Sequence, residues 1–219
     1  MTREVWIFGD SYANENLEFS YSWPVLLKQQ YNVKNFAITG SGPDYQLSLF
    51  LDKLSTSDAS NTDVIFFVSD TIRFNFKFLE SPSEQYIIKH LVKTSSFDTN
   101  IKKYKKYKTF INWFFRDYVY HSTYNETETI KIILLLKELS KHFNNMIIIP
   151  VFDNLNEPLI SFDNTEKLCI VKNKFKEVEL DKFTHEPNHM SQEVHDQVYK
   201  KLSYWLDTHK EIFFEKCST

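Results

Sequence analysis

The run Asp63–Val68 (DVIFFV) is apolar at every position after its aspartate. A strand with one wet face alternates apolar and polar residues, so an unbroken run calls for a sheet covered on both sides. Glu4–Phe8 (EVWIF) and Met146–Val151 (MIIIPV) have the same character. A chain with several such runs must supply helices to both faces of its sheet.

Segments with helical spacing stand between the runs. Ser22-Trp23-Pro24-Val25-Leu26-Leu27 predicts a helix start, since serine caps and proline is tolerated in a first turn. Val33–Ala37 predicts a second strand. Residues 44–54 put Leu47, Phe50, Leu51 and Leu54 on one helix face, and a helical segment is expected over 126–143. Leu168–Val171 predicts a short fifth strand, while Val194, Val198, Leu202 and Trp205 form the stripe of a C-terminal helix. Ser191 is placed to cap that helix, with Glu193 at the positive end of its dipole. The alternation predicts an α/β fold: a flavodoxin-like, doubly wound parallel sheet inside a three-layer α/β/α sandwich. Residues from about 80 to 122 exceed one crossover and are expected to form a helical insertion after the third strand. With no repeat, low-complexity block or Pro/Gly/Ser-rich linker, residues 1–219 are expected to form one domain.

Composition narrows the functional classes. A net charge of -3 and a pI near 6.2 provide no overall field that attracts nucleic acid or anionic lipid. Lys102–Lys108 (KKYKKYK) is a local exception, best read as the solvated face of a helix, so no nucleic-acid partner is expected. Trp113, Phe114 and Phe115 read as core, in keeping with 20 Phe and 12 Tyr overall. Two cysteines, Cys169 and Cys217, indicate neither a disulfide framework nor a cysteine metal site. No stretch approaches the roughly 18 apolar residues of a membrane span. Met1-Thr2-Arg3-Glu4 enters a strand at once, without the apolar core of a signal peptide. A cytoplasmic protein is expected.

Only three glycines occur, Gly9, Gly40 and Gly42, each after an expected buried strand. Glycine serves where the backbone takes an unusual dihedral or approaches something closely. In open parallel sheets, ligands bind beyond the carboxyl ends of the strands, where both glycine turns fall. Their spacing matches neither a dinucleotide fingerprint nor a phosphate loop, so no cofactor is expected.

Gly9-Asp10-Ser11 directly after the first strand resembles block I of the SGNH (GDSL-like) serine hydrolases. Glu186-Pro187-Asn188-His189, just before the last helix, resembles block V, and Asn35-Phe36-Ala37-Ile38-Thr39-Gly40 resembles block II. The resemblance implies the SGNH hydrolase fold, with Ser11 as nucleophile and His189 as its general base. Glu186, where the family usually has aspartate, would orient the imidazole. The backbone amides of Ser11 and Gly40 would bind the oxyanion, with Gly42 as the alternative. Block III departs from the pattern: Val68-Ser69-Asp70-Thr71-Ile72-Arg73 stands where Gly-x-Asn-Asp is expected. The Thr71 hydroxyl is the replacement donor taken here, with Arg73 and Asn75 as alternatives; Asp70 and Arg73 read equally as a local ion pair. Loss of one such donor typically costs about 100- to 1000-fold in rate. His185, His189 and His195 suggest a metal site by type, but Pro187 breaks the helix that their spacing would need, so no metal is expected.

The resemblance thus implies a serine ester hydrolase acting on an acyl-ester small molecule or an acylated glycan or lipid. The alternative is a catalytically silent SGNH-like binding or structural module.

Overall fold

The computed structural model describes residues 3–15, 22–39, 41–68, 74–76, 86–88, 122–151, 164–171, 190 and 192–214. For 74–76, 86–88 and 122–126 it describes the backbone.

The strands β1 (Glu4–Phe8), β2 (Asn32–Asn35), β3 (Thr62–Val68), β6 (Asn145–Pro150) and β7 (Leu168–Ile170) form one parallel sheet in the order β2-β1-β3-β6-β7. A separate antiparallel pair joins β4 (Phe74–Phe76) to β5 (Tyr86–Ile88). All seven residues of β3 are buried, as its sequence demands. Successive side chains leave a strand on opposite faces, so each central strand feeds two separate cores.

On one face Val5, Ile7, Ile65 and Phe67 pack with Trp23 and Leu27 of α1 (Trp23–Lys28) and with Val194, Val198, Leu202 and Trp205 of α4 (Gln192–Thr208). On the other, Trp6, Phe8, Val64 and Phe66 pack with Phe50 of α2 (Pro43–Thr56) and Ile132, Ile133 and Leu136 of α3 (Ser122–Leu139). The result is three layers. Aromatic rings fill much of both cores: Phe8 meets Phe50 edge to face at 4.9 Å, and Trp23 stacks on Phe67 at 5.1 Å. Each fully buried large apolar side chain contributes about 1.5–3 kcal/mol.

Several local expectations need correction. β2 is an edge strand of alternating exposed and half-buried residues, not a buried one. It also ends at Asn35, although Phe36 N–H to Ile7 O (2.8 Å) and Ile38 N–H to Gly9 O (3.0 Å) carry backbone pairing to Ile38. On α2, Leu51 is 40% exposed, whereas Gln46 is fully buried beside Phe50. The apolar arc is narrower than the spacing suggested, and a polar residue completes it. Ser22 occupies the cap position of α1 without a capping side-chain bond, so proline in the first turn is the operative start signal. The segment expected to be a helical insertion contains β5 as a strand; the rest of 80–121 lies outside the described residues, as do Lys102–Lys108 and Trp113–Phe115. Among the described residues no helix is long and apolar enough to cross a membrane.

The amino edge of the sheet is held by a buried charge. Asp63, at the start of β3, accepts hydrogen bonds from Asn144 (2.9 Å) and Asn145 (3.3 Å) and pairs with Arg3 Nε at 2.7 Å. Arg3 also contacts His209 Nε2 at 3.0 Å, one residue past α4. His209 has φ +54° and donates its N–H to Trp205 O, closing the helix in the left-handed conformation common at C-termini. With its end at the amino edge and a length of about 25 Å, α4 begins at the carboxyl edge.

Candidate active site

β1 stops at Phe8 and the chain turns at Gly9, which has φ +154°. A β-carbon there would stand 2.8 Å from Phe67 Cβ and 2.9 Å from Ala13 Cβ. Glycine therefore meets both a dihedral and a spatial requirement at this position. Next, Asp10 is fully buried; its Oδ1 accepts the Tyr12 N–H at 3.1 Å and its carbonyl accepts the Ala13 N–H at 3.1 Å. These bonds fold residues 10–13 into a tight turn that carries Ser11, 6% exposed, just beyond the carboxyl end of β1.

The chain leaves β1 toward β2 through α1 on one face, and leaves β2 toward β3 through α2 on the other. The sheet order therefore reverses at β1, and the crevice outside its carboxyl end is where ligands bind in doubly wound sheets. Ser11 stands at that point.

The Ser11 turn is stitched to the loop after β2. Asn35 Nδ2 donates to Ala13 O at 2.8 Å, and Asn14 Nδ2 donates to Thr39 Oγ1 at 2.9 Å. The Gly9 carbonyl accepts from Ile38 N–H and, at 3.2 Å, from the Ser41 hydroxyl. The Gly9 N–H donates to Gln46 Oε1 at 3.1 Å, and Gln46 Nε2 donates to Ser41 Oγ at 2.6 Å. Gln46 and Ser41 are both 1% exposed.

A second set of bonds ties the turn to α4. Trp23 Nε1 donates to Tyr12 O at 2.8 Å, and the Trp23 backbone N–H donates to His195 Nδ1 at 3.4 Å. His195, one of the three histidines weighed as a metal ligand, thus presents this nitrogen to the backbone of α1. Met190 is buried in the same cluster as Tyr12 and Trp23. Among the described residues no three His, Cys, Asp or Glu side chains gather as metal ligands.

Of the residues singled out from sequence, Ser11 is placed at the switch point. Gly40, Thr71, Glu186 and His189 lie outside the described residues, with Asp70, Arg73, His185 and Ser191. Asn75 lies in β4. Gly42, the alternative oxyanion residue, is the cap of α2 with φ -87° and ψ 166°. That conformation suits any residue before a proline, so the unusual dihedral expected of it is not there. Asn14, Ser41 and Gln46 were not anticipated. The one sequence signal for Gln46 is its place four residues before Phe50, on the apolar face of α2.

No protein-family model matches the chain, and no curated protein matches it in sequence. Among solved structures, TesA is similar with a TM-score of 0.54 and 11% identity, over 93% of this chain and 98% of that one. LAE5, an alpha/beta hydrolase enzyme from the metagenome of Lake Arreo, Spain, has a TM-score of 0.47 and 10% identity over 94% and 95% of the two chains. A substituted form of Axe2, an acetyl xylan esterase from Geobacillus stearothermophilus, has a TM-score of 0.47 and 8% identity over 97% of each. At such identities the likeness is one of fold, and TesA with the observed strand order carries it. The parallel sheet β2-β1-β3-β6-β7 between two helical layers has the SGNH/GDSL-like hydrolase fold.

Proposed function

We propose that this chain is a serine carboxylic-ester hydrolase that works through an acyl-enzyme on Ser11. The observation that carries the reading is the position of Ser11, on a tight, buried turn at the carboxyl end of β1 where the sheet order reverses. The order of the motifs supports it: Gly-Asp-Ser opens the fold, and Glu186-x-x-His189 stands just before the helix that closes it.

In this mechanism His189 takes the proton of the Ser11 hydroxyl as its oxygen attacks the ester carbonyl. Glu186 holds the imidazole in the required tautomer and balances its charge when protonated. The negative oxygen of the tetrahedral intermediate is met by the amides of Ser11 and Gly40 and the hydroxyl of Thr71. Collapse expels the alcohol, which leaves with the proton from His189. Water then attacks the acyl-enzyme, passing its proton to His189, and Ser11 is restored as the acid departs. No cofactor enters the scheme. The substrate class is a small acyl ester or an acylated glycan or lipid, and the chain acts as one domain, residues 1–219, in the cytoplasm.

The test is hydrolysis of p-nitrophenyl acetate and butyrate by the purified chain beside Ser11→Ala and His189→Ala. Both variants should lose at least about 1000-fold in kcat. Equal rates in all three folded proteins would overturn the hydrolase reading for these esters and favour a silent binding module, which the block III departure at Ser69–Thr71 already motivates.

A further inference from the structure

We propose that Gln46 is a positioning residue for the Ser11 nucleophile, acting through the Gly9 turn that it ties to Ser41. The inference rests on the esterase reading and extends it to a residue that touches no substrate. Gln46 closes a ring. Its Oε1 accepts the Gly9 N–H (3.1 Å), its Nε2 donates to Ser41 Oγ (2.6 Å), and the Ser41 hydroxyl donates to the Gly9 carbonyl (3.2 Å).

Each bond fixes the direction of the next. The Gly9 N–H can only donate, so it requires the Gln46 carbonyl oxygen to face it. That turns the Gln46 amide nitrogen toward Ser41, whose oxygen accepts and whose proton is left for the Gly9 carbonyl. Both backbone groups of Gly9, two residues before Ser11, are thereby tied to Ser41, which follows Gly40 directly. A glycine turn resists bending poorly by itself, and Gly9 has no side chain to lock it. The ring supplies that restraint from the rigid first turns of α2, with Gln46 and Ser41 both 1% exposed.

The placement has a chemical consequence. The nucleophile must hold its place within a fraction of an ångström for attack to be productive, and the ring restrains the turn that carries it. Core packing alone does not require an amide here; a methionine of similar volume would fill the same buried space.

The experiment uses the full chain as wild type, Ser11→Ala, Gln46→Met and Gln46→Glu. It follows p-nitrophenyl acetate hydrolysis, with the exchange rate of the Gly9 amide hydrogen read by NMR. With hydrolysis that depends on Ser11, Gln46→Met should lower kcat by about 10- to 100-fold with KM within about threefold, and should speed Gly9 exchange. Gln46→Glu keeps an acceptor for Gly9 and should recover part of that loss, falling only about 3- to 10-fold below wild type. Should Gln46→Met not fold, that smaller drop in Gln46→Glu decides the matter. A kcat within twofold of wild type in the folded Gln46 variants overturns the positioning role while leaving the esterase intact. Hydrolysis that is unchanged in Ser11→Ala overturns the esterase reading, and the positioning role with it, whatever the Gly9 amide does.

Discussion

The indole N–H of Trp23 donates to the carbonyl of Tyr12 at 2.8 Å, one residue beyond Ser11. The same tryptophan donates its backbone N–H to His195, so α1 links the Ser11 turn to the first turns of α4. Trp23→Phe keeps a ring against Phe67 but leaves the Tyr12 carbonyl without that donor. It should cost about 1–3 kcal/mol, seen as a lower urea midpoint with an unchanged slope. A midpoint equal to wild type would show that the bond is replaced by water at no cost.

Gly9→Ala should be among the most disruptive single-methyl additions in this chain. The new carbon meets Phe67 Cβ and Ala13 Cβ, neither of which can rotate away, and the φ of +154° is one that alanine rarely adopts. A loss of about 2–4 kcal/mol is expected from overpacking and backbone strain together. Chemical denaturation measures it; a loss under 1 kcal/mol would mean that β1 and β3 separate readily at their carboxyl ends.

At the opposite edge, Asp63 is buried and Arg3 is the cation closest to it, at 2.7 Å, with an exposed fraction of 29% in the arginine side chain. Arg3→Met takes the guanidinium from a buried carboxylate that keeps the Asn144 and Asn145 amides as donors and His209 Nε2 at 3.6 Å. Removing one partner of a buried pair is costly, and the partial exposure of Arg3 brings the expected loss to about 2–3 kcal/mol. Adding Asp63→Asn to Arg3→Met should recover part of it, because the charge is then gone. Thermal unfolding of the single and double variants distinguishes this from a simple loss of packing, which the second change would not restore.

Burial pushes the Cys169 thiol up to about 11; the nearby Glu211 carboxylate adds to the shift, and a backbone hydrogen bond with Ile212 opposes it. The folded state thus favours the neutral thiol over the thiolate. The sign follows: this contribution to stability is complete below the ordinary thiol range and is lost as pH rises through that range toward 11. In a Cys217→Ser variant at pH 8, Cys169 should react with a disulfide reagent at least about 100-fold more slowly when folded than in denaturant. Equal rates would show an open route to the sulfur.

Much of the fold was legible because strand and helix periodicity are local properties. The runs EVWIF and DVIFFV, and the stripe from Val194 to Trp205, identify elements that the structure places within a residue or two. The errors fall where a neighbour decides. Val33–Ala37 has strand character, but its half-exposed state follows from standing at the sheet edge. Leu51 fits the helical spacing of α2, but the sheet reaches only far enough to cover Phe50 and its nearest neighbours. The β4–β5 pair has too short a pattern to stand out within an aromatic-rich stretch.

The site divides in the same way. By itself the sequence determined that Ser11 follows a buried strand through a glycine, since an apolar run and a residue without a side chain are chemical facts of the chain. It also set the motif order that points to His189 and Glu186. Only the tertiary structure decided that the sheet order reverses at β1, that Gly9 is pressed against Phe67, and that a glutamine thirty-seven residues away in sequence closes the ring around it. Those relations depend on which strands become neighbours. Periodicity says which face a residue takes, whereas long-range packing alone says what that face will meet.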